Sequence, residues 1–348
     1  MQDLNSINIP KELIAQYPIL DRDRCKLLVL DKENGQIKHH TFRDILSFMK
    51  PNDLVVFNNS RVIKARFEAF KPTGGKVELF LIRPAQDSGS VEGGVVKWLC
   101  LIRGKNIKPG LRIQISKDGA GANVVDSLSD GTFYVEFDNK LDIPSLMDLF
   151  GKLPLPPYIK RPPDANDEKY YQTVFANING SVAAPTAALH FTDDILSQMS
   201  KLDVDKEFLT LHVGYGTFSS VRDIKGHVMH SEFYTFPDTL AKSVQTCKNA
   251  GGRVWAVGTT VVRTLESAFD KDLNIIEQSG FTSLFIKPGY KFKVVDAMIT
   301  NFHNPDTTLI YLVAAFAGVD KIVSAYSEAV HNNYRLLSYG DAMAILDG

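Results

Sequence analysis

Residues 253–267 read RVWAVGTTVVRTLES. The first five are mostly apolar, as a buried strand requires. Gly258-Thr259-Thr260 breaks the run, and apolar residues then recur at helical spacing. Arg263 falls on the first helical turn, with Glu266 three residues further on. A strand, a glycine turn and a helix in succession form the unit of an α/β layer fold. The turn also offers backbone N–H groups and hydroxyls to an anion or carboxylate. Ordinary N-capping by Thr259 is the plainer alternative.

The same alternation extends on both sides. Helical patterns fall at 193–201, 238–250, 260–270, 307–317 and 319–334, and strand patterns at 207–213, 253–257 and 282–286. Near the N-terminus, Asn8 to Gln16 reads as a short helix with Pro10 in its first turn. KLLVLD (26–31) and DLVVF (53–57) read as strands, and Asn58-Asn59-Ser60 as a loop. From about Arg61 to Asp148 the character changes. KVELFLI (76–82), VKWLCLI (96–102), LRIQI (111–115) and TFYVEF (132–137) are short strands joined by glycine-rich turns, which suggests a small barrel. The stretch 152–163, KLPLPPYIKRPP, holds five prolines and reads as a stiff connector.

Length and composition set the frame. A chain of 348 residues predicts two domains. Apolar residues make up 44% and charged residues 23%, so a large core is expected. The net charge of -1 excludes a global field for nucleic acid, and any basic footprint must be local. One such footprint runs from Lys97 to Lys117, with six basic residues and no acid. It reads either as a solvated strand face or as a phosphate-contacting surface. Lys160 and Arg161 beside Tyr158 make a second. Cys25, Cys100 and Cys247 lie far apart, which predicts reduced thiols and neither disulfides nor a cysteine metal site. The longest apolar run, 309–318, is shorter than a membrane span needs. A soluble cytoplasmic protein is expected.

Five stretches carry residue types suited to chemistry. VAAPTAALHFT (182–192) has Thr186 among small residues, then His190, then Thr192 as an N-cap. LTLHVGYGTFSSV (209–221) places His212 on a strand that breaks at Gly214, Gly216 and Thr217. It is not a GxGxxG loop. HVMHSEFY (227–234) has His227, His230 and Glu232. The spacing suits acid/base work or ligand binding, and without further ligands no metal is expected. The glycine turn at 258–260 is the fourth. DAMITNFHNP (296–305) is the fifth, with Asp296, Thr300, Asn301 and His303 near a strand end.

Taken together, these stretches resemble the S-adenosylmethionine:tRNA ribosyltransferase-isomerase family of the queuosine pathway. The matching segments are DLVVFNNSRVIKAR (53–66), GKVELFLIR (75–83), GKLPLPPYIKR (151–161), YQTVFA (171–176), VAAPTAALHFT, LTLHVGYGTF, HSEFY (230–234), VWAVGTTVVRTLES (254–267), IKPGYKFKVVDAMITNFHNP (286–305), LVAAFAG (312–318) and YRLLSYGDAM (334–343). They run from end to end in one order. The family usually has GAGTF at 214–218, Gly-Leu-His at 188–190 and Ser-Arg at 25–26, where this chain has GYGTF, Ala-Leu-His and Cys-Lys.

The resemblance implies an α/β fold: a larger mixed layered domain, residues 1–60 plus 150–348, with an inserted all-β barrel domain, 61–149. It implies a transferase that moves and isomerises the ribosyl group of S-adenosylmethionine onto 7-aminomethyl-7-deazaguanine at the wobble position of a tRNA with a GUN-type anticodon. The products are epoxyqueuosine-tRNA, adenine and methionine. S-adenosylmethionine is a consumed co-substrate, and no resident cofactor is expected. The sulfonium acidifies the ribose 5′ carbon, so proton-transfer groups near neutrality are needed, and histidine supplies them. His190, His212, His230 and His303 are the candidates, each in a matched segment. Substrate contacts are expected from Thr186, Gly214, Gly216, Thr217, Glu232, Gly258, Thr259, Thr260, Arg263, Asp296 and Asn301. Arg263 with Thr259 and Thr260 would hold the methionine carboxylate or a tRNA phosphate. Arg61, Arg103, Lys105, Arg112, Lys160 and Arg161 are the candidates for tRNA contact, and a monomer is expected. Two other readings compete: an S-adenosylmethionine-dependent RNA methyltransferase, and a non-catalytic RNA-binding module built on the barrel.

Overall fold

The computed structural model describes residues 3–85, 96–117, 119–138, 142–214, 229 and 231–347. Its contacts divide the chain into two compact units, residues 1–61 with 156–348, and residues 62–155. The first begins with β1 (Lys26–Asp31), β2 (Ile37–Thr41), β3 (Leu54–Asn58) and β4 (Ser60–Val62). The second carries β5 (Arg66–Phe70), β6 (Lys76–Pro84), β7 (Val96–Arg103), β8 (Arg112–Gln114), β9 (Gly121–Ser127), β10 (Thr132–Phe137) and the helix α1 (Ile143–Phe150). The chain then returns to the first unit with α2 (Ala165–Tyr170), β11 (Ile178–Ser181), α3 (Asp193–Lys201), β12 (Asp205–Leu211), β13 (Glu232–Thr235) and α4 (Asp238–Asn249). It finishes with β14 (Val254–Val257), α5 (Thr259–Ala268), β15 (Ser279–Thr282), β16 (Ala297–Asn301), α6 (Thr308–Ala317), α7 (Val319–His331) and β17 (Ala342–Leu346).

In the second unit, β10, β7, β6, β5, β8 and β9 close into a barrel in that order, and all the pairings are antiparallel. Phe67, Val77, Leu79, Cys100, Ile113, Ala122 and Val135 fill its interior. In each strand they alternate with more exposed residues, as the two-residue period of a barrel wall demands.

The first unit holds a nine-stranded mixed sheet in the order β15-β13-β12-β3-β14-β16-β17-β1-β2. At its centre β12, β3, β14 and β16 are parallel. Such strands are covered on both faces, and LVVFN and VWAV are buried at every position. Leu54 and Val56, with Val254 and Ala256, face a core built on α4 to α7. Val55 and Phe57, with Trp255 and Val257, face a second core containing Phe42, Phe191 and Ile195. No single helix among the described residues is long and apolar enough to cross a membrane, and α6 and α7 are bent by 111° where they meet.

Several expectations change. Asn8 to Gln16 makes only a 3-10 turn, Lys11–Leu13, because Ile14 bridges Leu336 and the Ala15 amide donates to the Leu336 carbonyl. The strand expected at 282–286 lies at 279–282. Beyond it the Leu284 amide turns to the Thr282 hydroxyl, and Ile286 enters the core. Asn58 to Ser60 barely interrupts the strand path. The Asn58 side chain is buried and bonds the Leu211 amide and carbonyl and the Ser60 amide, which substitutes for ladder partners. The helix expected to reach 334 stops at His331, before Asn333 turns left-handed with φ 52°.

Candidate active site

The parallel strands β12, β14 and β16 end on one edge of the sheet, and the loops that follow them line a cavity of about 290 Å³. Such an edge is where open α/β sheets take ligands. Val213 follows β12, Gly258 to Thr260 follow β14, and Thr300 to Asn304 follow β16. Ala183 to Ala187, Tyr158 and Leu337-Ser338 complete the wall.

The turn after β14 depends on Gly258, whose φ of 94° suits glycine and whose N–H donates to the Ile299 carbonyl at 2.8 Å. Gly258 is itself the N-cap of α5 and supplies no side-chain cap, so the Thr259 cap is corrected: Thr259 lies inside the first turn. The helix start thus keeps its N–H groups available beside the cavity. Thr260 Oγ1 is buried there without a partner. Arg263, one turn on, does not line the cavity. Its guanidinium is buried and pairs with Glu232, whose Oε1 also accepts from the Gly214 N–H at 2.8 Å. Desolvation lowers Arg263 to about 10, still cationic at neutral pH. The pair ties β13 to α5, and neither Arg263 nor Glu232, both expected as substrate contacts, lines the cavity.

Of the described candidate histidines, only His303 lines the cavity. Its Nε2 lies 2.7 Å from Thr300 Oγ1. Tyr326 clamps its backbone from both sides, accepting from the His303 N–H at 2.6 Å and donating to its carbonyl at 3.1 Å. Desolvation lowers the imidazole to about 4, so it is neutral at physiological pH. His190 sits behind the wall at the end of the 3-10 turn Thr186–His190, between Cys25 and Asn301. Burial, with the charges of Arg22 and Arg335, lowers it to about 3. His212 lies outside the cavity lining. Its half-buried ring stacks on Phe233 and presses on Gly180, where an added Cβ would stand 2.5 Å from Nδ1. Desolvation lowers it too. His230, His227, Gly216 and Thr217 lie outside the described residues.

Thr186, Gly258, Thr259, Thr260, Asn301 and His303 are therefore brought together, and Gly214 lies beside Glu232. Asp296 is not with them. It precedes β16, at the opposite end of a strand about 17 Å long. There it accepts from the Val254 amide and both its oxygens from Lys248. Asp296 thus leaves the substrate-binding set. Arg161 is also committed elsewhere: it forms a bidentate pair with fully buried Asp167 at 2.6 and 2.8 Å and lies over the Tyr17 ring. In the barrel Arg112 pairs with Asp138 and Arg103 approaches Glu78, so cross-strand acids answer part of the basic run. Arg61, Lys105 and Lys160 are exposed, and Lys160 reaches the cavity rim. Sequence reasoning missed Ser338 and Leu337. Tyr158, read there as a nucleic-acid contact, lines the cavity and bonds Ser338 Oγ at 2.6 Å. Their 180-residue separation gives no local signal. Among the described residues, no group of three or more His, Cys, Asp or Glu side chains is placed to hold a metal.

A small-molecule cavity at the carboxyl edge of a doubly covered α/β sheet, with an open helix start and a neutral histidine in its wall, defines an enzyme of the α/β class. The family model described as queuosine biosynthesis protein matches residues 5–345, and the chain belongs to that family. It is 44% identical over 342 residues to the S-adenosylmethionine:tRNA ribosyltransferase-isomerase of Clostridioides difficile, with 97% of each chain covered. The protein of the same name from Geotalea uraniireducens is 45% identical over 340 residues, again with 97% of each covered. The crystal structure of the Thermotoga maritima S-adenosylmethionine tRNA ribosyltransferase superposes with a TM-score of 0.54 at 35% identity, covering 97% of this chain and 98% of that one.

Proposed function

We propose that this enzyme transfers and isomerises the ribosyl group of S-adenosylmethionine onto 7-aminomethyl-7-deazaguanine in tRNA, giving epoxyqueuosine-tRNA, adenine and methionine. The end-to-end family match carries the reading. The cavity supports it with a shape and polarity suited to a small ligand. The reaction needs a proton removed from the carbon beside the sulfonium, and adenine must then depart. Among the described residues His303 is the histidine in contact with that space, and it is neutral, the form that can accept a proton. The open start of α5, with Thr259 and the unpartnered Thr260 hydroxyl, suits the methionine carboxylate. The tRNA would carry a GUN-type anticodon. The enzyme would act as a cytoplasmic monomer, with no cofactor beyond the S-adenosylmethionine it consumes.

Incubating the protein with S-adenosylmethionine and tRNA bearing the deazaguanine amine should release adenine and methionine, and unmodified tRNA should not. Release of S-adenosylhomocysteine instead would establish the methyltransferase reading. His303→Gln should lower kcat by roughly 10²–10⁴-fold. Wild-type turnover in that variant would remove His303 from proton transfer.

A further inference from the structure

Cys25, His190 and Asn301 come from three distant stretches and form one buried row. They are 2%, 5% and 1% exposed. His190 Nδ1 lies 3.1 Å from Cys25 Sγ, and His190 Nε2 lies 3.3 Å from Asn301 Nδ2. The Asn301 amide nitrogen also reaches the Leu337 carbonyl at 3.4 Å. Leu337 presents that carbonyl from a left-handed backbone with φ 68°, a conformation a leucine seldom adopts. On the other side, Asn301 Oδ1 is buried with no partner, and Asn301 lines the cavity.

Counting protons fixes the direction of the row. A neutral imidazole has one donor and one acceptor nitrogen, and a side-chain amide nitrogen has two donors. Both acceptors next to Asn301, Nε2 and the Leu337 carbonyl, face its nitrogen. Nε2 therefore accepts, and the imidazole proton sits on Nδ1, directed at the Cys25 sulfur. Rotating the amide by half a turn would set Oδ1 against the Leu337 carbonyl, an acceptor that the Gly340 N–H already bonds at 2.9 Å, and would set two oxygens against each other. The row thus holds the amide nitrogen toward His190 and Leu337, and leaves its oxygen as a buried, unpartnered acceptor on a residue that lines the cavity.

We propose that Asn301 Oδ1 accepts a hydrogen bond from an N–H or O–H group of S-adenosylmethionine, and that His190 and Cys25 are positioning residues that hold its amide in that orientation. The identity of the ligand rests on the function proposed above. An acceptor already desolvated and fixed before the ligand arrives gains its bond at little reorganisation cost. It also penalises a ligand that lacks the donor, because the oxygen then stays unpaired. His190 is thereby assigned to orientation, and proton transfer is left to groups that reach the cavity.

The test uses the full chain. S-adenosylmethionine binding is measured by calorimetry without tRNA, and KM and kcat by adenine release with tRNA. His190→Leu removes the acceptor and frees the amide to rotate. The dissociation constant and KM should rise roughly tenfold while kcat stays within about threefold. His190→Gln, whose side-chain oxygen can replace Nε2, should recover most of the loss and keep both limbs of the pH–rate profile. Asn301→Leu should weaken binding at least as much as His190→Leu. Cys25→Ala should weaken it by about two- to threefold, through the looser ring. Repeating the titrations with adenosine and with methionine as separate probes shows which half carries the donor.

Unchanged binding in folded His190→Leu, or a lost kcat and a lost pH limb in His190→Gln with KM intact, would overturn the proposal. If His190→Leu does not fold, Asn301→Leu decides, since unchanged binding there also overturns it. Wild-type protein that binds S-adenosylmethionine without releasing adenine would sink the proposed reaction but leave the binding series valid.

Discussion

Mild acid should destabilise the α/β unit through two buried histidines, and removing one of them should flatten the response by a calculable amount. Burial holds His190 at about 3 and His303 at about 4, against an ordinary 6.5. Between those limits the unfolded chain binds a proton at each position and the native one does not. The stability of the neutral rings is therefore fully present above the unfolded value and is lost as pH falls through the window from about 6.5 toward 4. From pH 7 to pH 5 each ring costs just under about 2 kcal/mol, so the pair costs about 4 kcal/mol. At 2–4 °C per kcal/mol for a unit of this size, Tm should drop by roughly 8–16 °C from this cause alone. His190→Gln cannot titrate, so its Tm should fall only about half as far from the histidine contribution. Carboxylates contribute equally to both proteins and cancel in the comparison, as does any constant cost of the substitution. The assay is scanning calorimetry at half-unit pH steps from 7 to 5. Parallel pH dependences for wild type and His190→Gln would refute the reasoning, since they would mean that His190 is protonated in the native protein.

Other outcomes follow from single contacts. Asp167 is fully buried and accepts from Arg161 twice, from Tyr339 Oη at 2.6 Å and from the Asp164 amide. Asp167→Ala strands those donors and should cost about 3–5 kcal/mol in denaturant unfolding. A midpoint within error of wild type would show the network to be dispensable. Gly180→Ala forces a methyl against the His212 ring at a φ of 146° and should destabilise by about 1–3 kcal/mol. Adding His212→Ala should restore part of that, and a double mutant with simply additive losses would contradict the clash. Lys105 is exposed on the barrel, and Lys105→Glu should weaken tRNA binding with a salt slope shallower by about 1. Equal slopes would place the phosphate contacts elsewhere.

Much of the layer fold was legible because buried parallel strands are short and uniformly apolar. DLVVF and RVWAV stand out from the residues around them for that reason. The barrel was legible from glycine turns at close spacing. AMAIL, which forms β17, was not: alanine and methionine carry little strand preference, and only pairing with β1 and β16 makes it a strand. The polar stretches divided in the same way. Thr259, Thr260 and His303 follow strands that end on one edge and Asn301 closes one, so strand ends alone pointed to them. Asp296 misled because it lies five residues before Asn301, and in a strand that distance spans the whole sheet.

The sequence by itself determined the family, the layer architecture and the glycine-threonine turn after β14. Each depends on residues close together in the chain or on a pattern that runs its length. The tertiary structure alone decided which of the described histidines meets the cavity. His190 and His303 look equivalent as letters beside apolar stretches. Packing buried one between Cys25 and Asn301 and opened the other to the ligand space. The proton affinity and hydrogen-bond direction of an imidazole are set by what surrounds it, and its surroundings here come from stretches more than a hundred residues apart.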